Sequence, residues 1–211
     1  MRTTALVVLV GATACQTYDF ERVTPLAVSV DNETRLLTRR GLKPNVMLLV
    51  DNSGSMNDPA DESLAACTNG SGLCGSTSYA CPAACPTRVQ EMKRAMSSLL
   101  TNSGAVARVG LTVYPETQCQ APRAIDRQLP APSTDDEGLD PALQAHARDI
   151  DERLQLLSPG GGTPTGGALE FLRDYRGLNE DDGRDDFVLL LTDGLPNCSD
   201  ANVNNVCGCY A

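Results

Sequence analysis

The chain has 211 residues, 41% of them apolar and only 4% aromatic, with a formal net charge of −10. That length suits one domain with a sizeable core plus a modest extra segment. A strongly acidic chain without tryptophan argues against nucleic acid or an anionic membrane surface as partner, because it offers neither the basic field nor the stacking platforms they use.

The chain opens with "MRTTALVVLVGATAC": one basic residue, Arg2, an apolar stretch from Ala5 to Val10, and small residues Ala12, Thr13 and Ala14 before Cys15. This is the layout of a secretory signal peptide over residues 1–14, and losing the single charge of Arg2 takes −10 to −11. The stretch is far shorter than the roughly 20 apolar residues of a membrane-spanning helix, and no other segment approaches that length. Small residues directly before a cysteine resemble a bacterial lipobox, which implies lipidation of Cys15 and an exported protein of the cell envelope, attached to a membrane only through that lipid. Ala12 stands where leucine is usual, so plain cleavage after Ala14 and ordinary secretion remain the alternative.

Residues 15–43 are polar, with one alternating piece, "PLAVSVD", and read as a tether with an edge strand. The folded region, residues 44–211, begins with "VMLLVD". A strand without polar alternation is usually covered on both faces, as in a parallel sheet flanked by helices. A Cys-rich insertion spans 57–86. Pro86 then opens "TRVQEMKRAMSSLL", where Val89, Met92, Ala95, Met96, Leu99 and Leu100 recur at helical spacing. Val106 to Tyr114 is a second strand and Pro141 to Leu157 a second amphipathic helix, with a loop between them that holds at most a short strand near Ile125. In "SPGGGTPTGGALEFLRDY" a glycine-rich loop leads to Thr163 as N-cap, Pro164 at the first helical position and a helix to about Tyr175. Phe187 to Leu191 is a last continuous apolar strand, ending in Thr192, Asp193 and Gly194. Strands alternating with helices predict an α/β fold with a Rossmann-like, doubly wound, mostly parallel sheet and right-handed crossovers.

Nine cysteines are many for this length, and export delivers them to an oxidising compartment. Setting Cys15 aside leaves Cys67, Cys74, Cys81, Cys85, Cys119, Cys198, Cys207 and Cys209, an even set for disulfides whose connectivity is one of on the order of a hundred. Four lie in a Gly, Ser, Ala and Pro-rich stretch that needs covalent staples. Zinc at Cys81 and Cys85, or at Cys207 and Cys209, lacks a partner pair at finger spacing. The one histidine, His146, reads as a solvated helix residue. The acidic runs Asp135-Asp136-Glu137, Asp181-Asp182 and Asp185-Asp186 read as solvated loops, because they miss the alternate spacing of a calcium loop.

The strongest chemical signal is "NVMLLVDNSGSMND". In open α/β sheets ligands bind beyond the carboxyl ends of strands, and both Asp51 and Asp193 fall at such ends. Ser53 and Ser55 follow Asp51 at alternate positions in a Gly-containing loop, and Thr163 offers another hydroxyl. Carboxylates and hydroxyls without imidazole or thiolate are hard donors that suit Mg²⁺, Mn²⁺ or Ca²⁺. The competing reading is that Ser53 and Ser55 merely cap a helix or turn.

"DNSGSM" at 51–56, "GGGTPTGGAL" at 160–169 and "LLLTDGLPN" at 189–197 together resemble the von Willebrand factor A domain over about Lys43 to Asn197. The resemblance implies a metal-ion-dependent adhesion site in which Asp51, Ser53, Ser55, Thr163 and Asp193 hold the metal, the aspartates commonly through water. It implies a binding module, not an enzyme, whose partner is a protein or other carboxylate-bearing ligand. Similar domains continue with another helix, strand and final helix. This leaves a shortened domain closed by Cys198, Cys207 and Cys209, or a fragment of a longer, C-terminally truncated protein, and the second is favoured. A scaffold subunit of a cell-envelope complex with a structural or vestigial metal site is the alternative function. Enzyme readings fare worse. A haloacid dehalogenase-type phosphatase needs an aspartate where Ser53 stands, the glycine-rich loop lacks the lysine of a P-loop, and no serine has a nucleophile-elbow context with His146.

Overall fold

The computed structural model describes residues 42–70, 72–75, 79–180, 182–194 and 196–198. The chain divides into two compact units, Met1–Thr38 and Arg39–Ala211, and every described residue belongs to the second. The signal peptide, Cys15, the strand expected in "PLAVSVD", Asp181, Cys207 and Cys209 lie outside the described residues.

The architecture is mixed α/β. In chain order it comprises β1 (Asn45–Asp51), a hairpin of β2 (Thr68–Asn69) and β3 (Gly72–Leu73), helix α1 (Arg88–Ser103), β4 (Arg108–Tyr114), α2 (Asp140–Gln155), α3 (Thr165–Arg173) and β5 (Asp186–Leu191). β1 is the centre of a three-stranded sheet, with β4 on one side and β5 on the other. Both pairings are parallel, with Asn45 opposite Arg108 and Asp186 at one end and Val50 opposite Val113 and Leu191 at the other. All three carboxyl ends therefore share one rim, and helices cover the sheet in the manner of a Rossmann-like fold.

Alternation along the strands builds two cores. Leu48, Val50, Val109, Leu111 and Val113 face Met96 and Leu100 of α1 and Ala147, Ile150 and Leu154 of α2. Met47, Leu49 and Tyr114 face Ala168 and Leu172 of α3. α1 starts on a capping box, in which Thr87 Oγ1 accepts from the Gln90 amide and Gln90 Oε1 from the Thr87 amide. Leu99, expected on its apolar stripe, is exposed.

β5 departs from expectation. Its continuous apolar run predicts burial on both faces, yet Phe187, Val188, Leu189 and Leu190 are 55%, 42%, 39% and 37% exposed. The reason is position: among the described residues β5 pairs only with β1, while the three helices pack over β1 and β4. Helix α3 also begins later than expected. Thr163 lies in the preceding loop and Pro164 is the N-cap, making no side-chain cap bond. The strand expected near Ile125 is a single antiparallel bridge between Leu111 and Arg127.

Two charged or polar groups expected in solvent are structural. His146 Nε2 lies 3.0 Å from the Val109 carbonyl and 3.1 Å from that of Gln128, tying α2 to β4 and the following loop. Asp136 is 1% exposed, whereas Asp135 and Glu137 beside it are exposed. Its carboxylate accepts from Ser133 Oγ at 2.8 Å, the Lys43 amide at 2.7 Å and Arg108 Nη1 at 3.3 Å, and also from Arg184. Arg108 and Arg184 are buried too. This cluster closes the amino ends of the strands, where a charge needs paired partners to be buried.

Candidate functional site

β1 delivers Asp51 to the opposite rim with its side chain wholly buried. Alternation puts it on the face of Met47 and Leu49, and the chain turns sharply after it. Asp51 Oδ1 accepts from the Ser53 amide at 2.8 Å and Oδ2 from Thr192 Oγ1 at 2.7 Å, so the carboxylate bridges the ends of β1 and β5. A 3₁₀ turn over Gly54–Asn57 follows, with Ser53 as its N-cap residue but no side-chain cap bond. Capping therefore does not account for Ser53. Its hydroxyl oxygen instead lies 3.2 Å from that of Ser55, and Ser55 Oγ donates to Asp193 Oδ1 at 3.0 Å.

The glycine-rich loop is zipped onto this turn through backbone and amide groups. The Gly54 amide donates to the Gly161 carbonyl at 2.9 Å, the Gly160 amide to the Asn52 carbonyl at 2.8 Å, and Asn52 Nδ2 to the Ser158 carbonyl at 3.0 Å. Thr163, 3% exposed, comes two residues after Gly161. Its amide donates to Asn197 Oδ1 at 2.6 Å and its carbonyl accepts from the Asn197 amide at 3.2 Å, which ties the loop to the segment after Asp193. The Cys119–Cys198 disulfide staples the same segment to the loop after β4, where the Gly162 amide donates to the Gln118 carbonyl. A side chain at Gly162 would run into both of these cysteine sulfurs. Gly161 has φ 79°, the region that favours glycine.

Three segments thus converge, carrying Asp51, Ser53 and Ser55, Thr163, and Asp193. The structure brings all three segments together, with direct side-chain contacts linking the two serines to each other and Ser55 to Asp193. The donors are oxygen throughout, a set matched to a hard dication. His146 is engaged elsewhere. Among the described residues the dense cluster of metal-ligating types is Cys67, Cys74 and Cys85, but its sulfurs are taken by the Cys67–Cys85 and Cys74–Cys81 disulfides. These bonds staple the insertion, as its composition requires.

Several participants carry no pattern of their own in the sequence. Tyr114, at the end of β4, is fully buried, accepts from Thr165 Oγ1 at 3.3 Å, and has its phenol pushed up by burial. Thr192 is readable only as the residue between a strand and Asp193. Arg88 is the least predictable. The insertion closes at its base through Ala60 to Pro86 and Arg88 to Asp58 backbone bonds, which puts the first residue of α1 beside the site. Arg88 Nη1 donates to Asp193 Oδ2 at 2.9 Å, with Asp58 and Glu62 of the insertion flanking it at 3.7 and 3.4 Å. The bond that Arg88 donates to Asp193 raises its already high value. Burial pushes the Asp58 carboxyl up and Arg88 pulls it down, but the charges on Asp193 and Glu62 help leave it above its ordinary value.

Cavity size does not mark this rim. A cavity of about 710 Å³ lies between α1 and α2, lined by Lys93, Ser97, Asp151 and Gln155, and a cleft of about 290 Å³ beside Asn52 is lined by Glu116, Arg123, Asp126 and Arg153. No protein family, curated protein or solved structure matches the chain.

Proposed function

We propose that this chain is a divalent-cation-dependent binding module of the von Willebrand factor A type, in which Asp51, Ser53, Ser55, Thr163 and Asp193 hold Mg²⁺, or Mn²⁺ or Ca²⁺, for recognition of a protein or other carboxylate-bearing ligand. The observation that carries this reading is the convergence of the three segments: Ser53 and Ser55 hydroxyls 3.2 Å apart, Ser55 bonded to Asp193, and the Thr163 loop bonded to the Ser53 turn by its backbone. A bound dication with few protein charges around it supplies Lewis acidity toward an incoming carboxylate. The residues of this chain do the rest: Asp51 and Thr192 fix the strand ends, and the Gly160–Gly162 backbone holds the turn.

We read the module as non-catalytic on the residues of its loops: Ser53 stands where a haloacid dehalogenase-type phosphatase needs its second aspartate, and the loop from Gly160 to Gly167 carries no lysine for phosphate. Three disulfides favour an exported, extracytoplasmic protein, in keeping with a signal peptide over residues 1–14 and a lipid on Cys15. Among the described residues no helix is long and apolar enough to cross a membrane. Calorimetric titration of Mg²⁺ and Mn²⁺ into wild type and Asp51→Ala tests the metal site: saturable heat is expected for the first and at least a hundredfold weaker binding for the second. Equal binding by both proteins would refute it.

One observation favours the second reading, a cell-envelope scaffold with a structural or vestigial site: Asp193 already has a cation beside it in Arg88. Pull-down from envelope extracts separates the two. Capture lost in EDTA supports adhesion, and capture unchanged in EDTA supports the scaffold.

A further inference from the structure

If the five oxygen side chains hold a divalent cation, the guanidinium beside them requires an explanation. A metal site gains nothing from a neighbouring positive charge, yet Arg88 is built into place. It is the first residue of α1, fixed by the Thr87 capping box and by the bond from its amide to the Asp58 carbonyl. Its Nη1 reaches Asp193 Oδ2 at 2.9 Å and lies 3.4 Å from the Ser55 carbonyl. More exposed carboxylates are at hand on Asp58 and Glu62, but the shortest contact goes to Asp193, whose side chain is 6% exposed. Both Asp193 oxygens are consequently engaged, one by Ser55 and the other by Arg88.

We propose that Arg88 is a resident cation of the site that competes with the metal for Asp193: by occupying that carboxylate it loosens the grip on the metal and leaves more of the metal's coordination to water. The proposal rests on the metal reading above. Arg88 meets Asp193 at 2.9 Å, closer than Glu62 at 3.4 Å or Asp58 at 3.7 Å, so its charge falls mainly on the carboxylate that a dication would have to share with it. An ion pair made only to hold α1 in place would predict the opposite sign of effect, since its loss would loosen the rim and weaken metal binding.

The test is calorimetric titration of Mn²⁺ into wild type, Arg88→Gln, Arg88→Met and Arg88→Lys, with folding checked by thermal melts and metal-bound water followed by proton relaxation. Arg88→Met keeps the apolar stem and serves if Arg88→Gln does not fold. The neutral variants are expected to bind Mn²⁺ roughly tenfold tighter, the effect of removing one charge several ångströms from a dication in a wet site. They should also show lower relaxation enhancement per bound ion as Asp193 displaces water, and Arg88→Lys should stay near wild type. Neutral variants that bind equally or more weakly than a binding wild type would overturn the role of Arg88 and leave the metal site standing. Absence of saturable binding in wild type and variants alike would overturn the metal reading and this inference with it.

Discussion

Asp136 offers a sharp test of how the amino ends of the strands are held. Its carboxyl lies at about 2, below the ordinary 3.8. Burial alone would push it up. Hydrogen bonds from Arg184, the Lys43 amide and Ser133, together with the Arg184 charge, outweigh that and bring it down. A carboxyl whose folded value lies below its unfolded one contributes stability that is complete above about pH 4 and is lost as the pH falls through about 2. The gap between 3.8 and about 2 is worth about 2 kcal/mol. Asp136→Asn leaves Arg108 and Arg184, both buried, facing an amide in place of a charge, which costs about 3–5 kcal/mol at neutral pH. Urea unfolding of both proteins from pH 7 to pH 2 measures the two quantities. The variant should be less stable at pH 7 by that amount and should lack about 2 kcal/mol of the wild-type decline below pH 4. Parallel pH curves for the two proteins would refute the argument. Folded variant at neutral pH should bind Mn²⁺ as wild type does, because the cluster sits at the opposite end of the sheet from Asp51.

Other perturbations act on the rim itself. Replacing Cys119 and Cys198 together by serine opens a link between residues 79 apart in sequence, for which chain entropy predicts a loss of about 4 kcal/mol; thermal melts should report the loss and titration should show weaker Mn²⁺ binding. Gly162→Ala sets a methyl group against Cys119, Asn197 and Cys198, so it should destabilise by about 1–3 kcal/mol and lower metal affinity, while Gly160→Ala, with open space at its Cα, should leave affinity near wild type. Ser55→Ala removes the hydroxyl that bridges Ser53 and Asp193 and should weaken Mn²⁺ binding tenfold or more in the same titration, with about 1 kcal/mol of stability lost in melts.

What the sequence reveals about this chain follows from whether a residue's role is local. β1, β4, α1 and α2 are legible because hydrophobic period decides them, and their bounds fall within three residues of expectation. The alternate oxygens of Asp51, Ser53 and Ser55 are legible for the same reason, since strand end and tight turn are both short-range features. The exposure of β5 is not, because a run of leucine and valine records what a strand would bury and not whether a neighbour arrives to bury it. Asp136 and Asp135 are equivalent in sequence, yet one is fully buried and the other is in solvent. The difference is made by Arg108 and Arg184, 28 and 48 residues away. His146 follows the same rule: a single imidazole on a helix carries no sign that the carbonyls of Val109 and Gln128 will meet it.

The two ends of β1 put charge to opposite uses. At Asn45 the surrounding charges are closed: Arg108 donates to Asn45 Oδ1 at 3.0 Å and to the Ala131 carbonyl at 2.7 Å as well as to Asp136, while Arg184 reaches the Lys43 and Ser133 carbonyls. Such a cluster has little left to offer a ligand and defines one arrangement of the strands. At Asp51 the carboxylates are held instead by hydroxyls, a backbone amide and one half-buried arginine. Hydroxyl oxygens keep lone pairs after donating a proton, and an arginine 30% exposed can change partners at lower cost than a buried one. The same strand therefore has a fixed end and an exchangeable end, and the exchangeable end is the one the fold presents at its carboxyl rim.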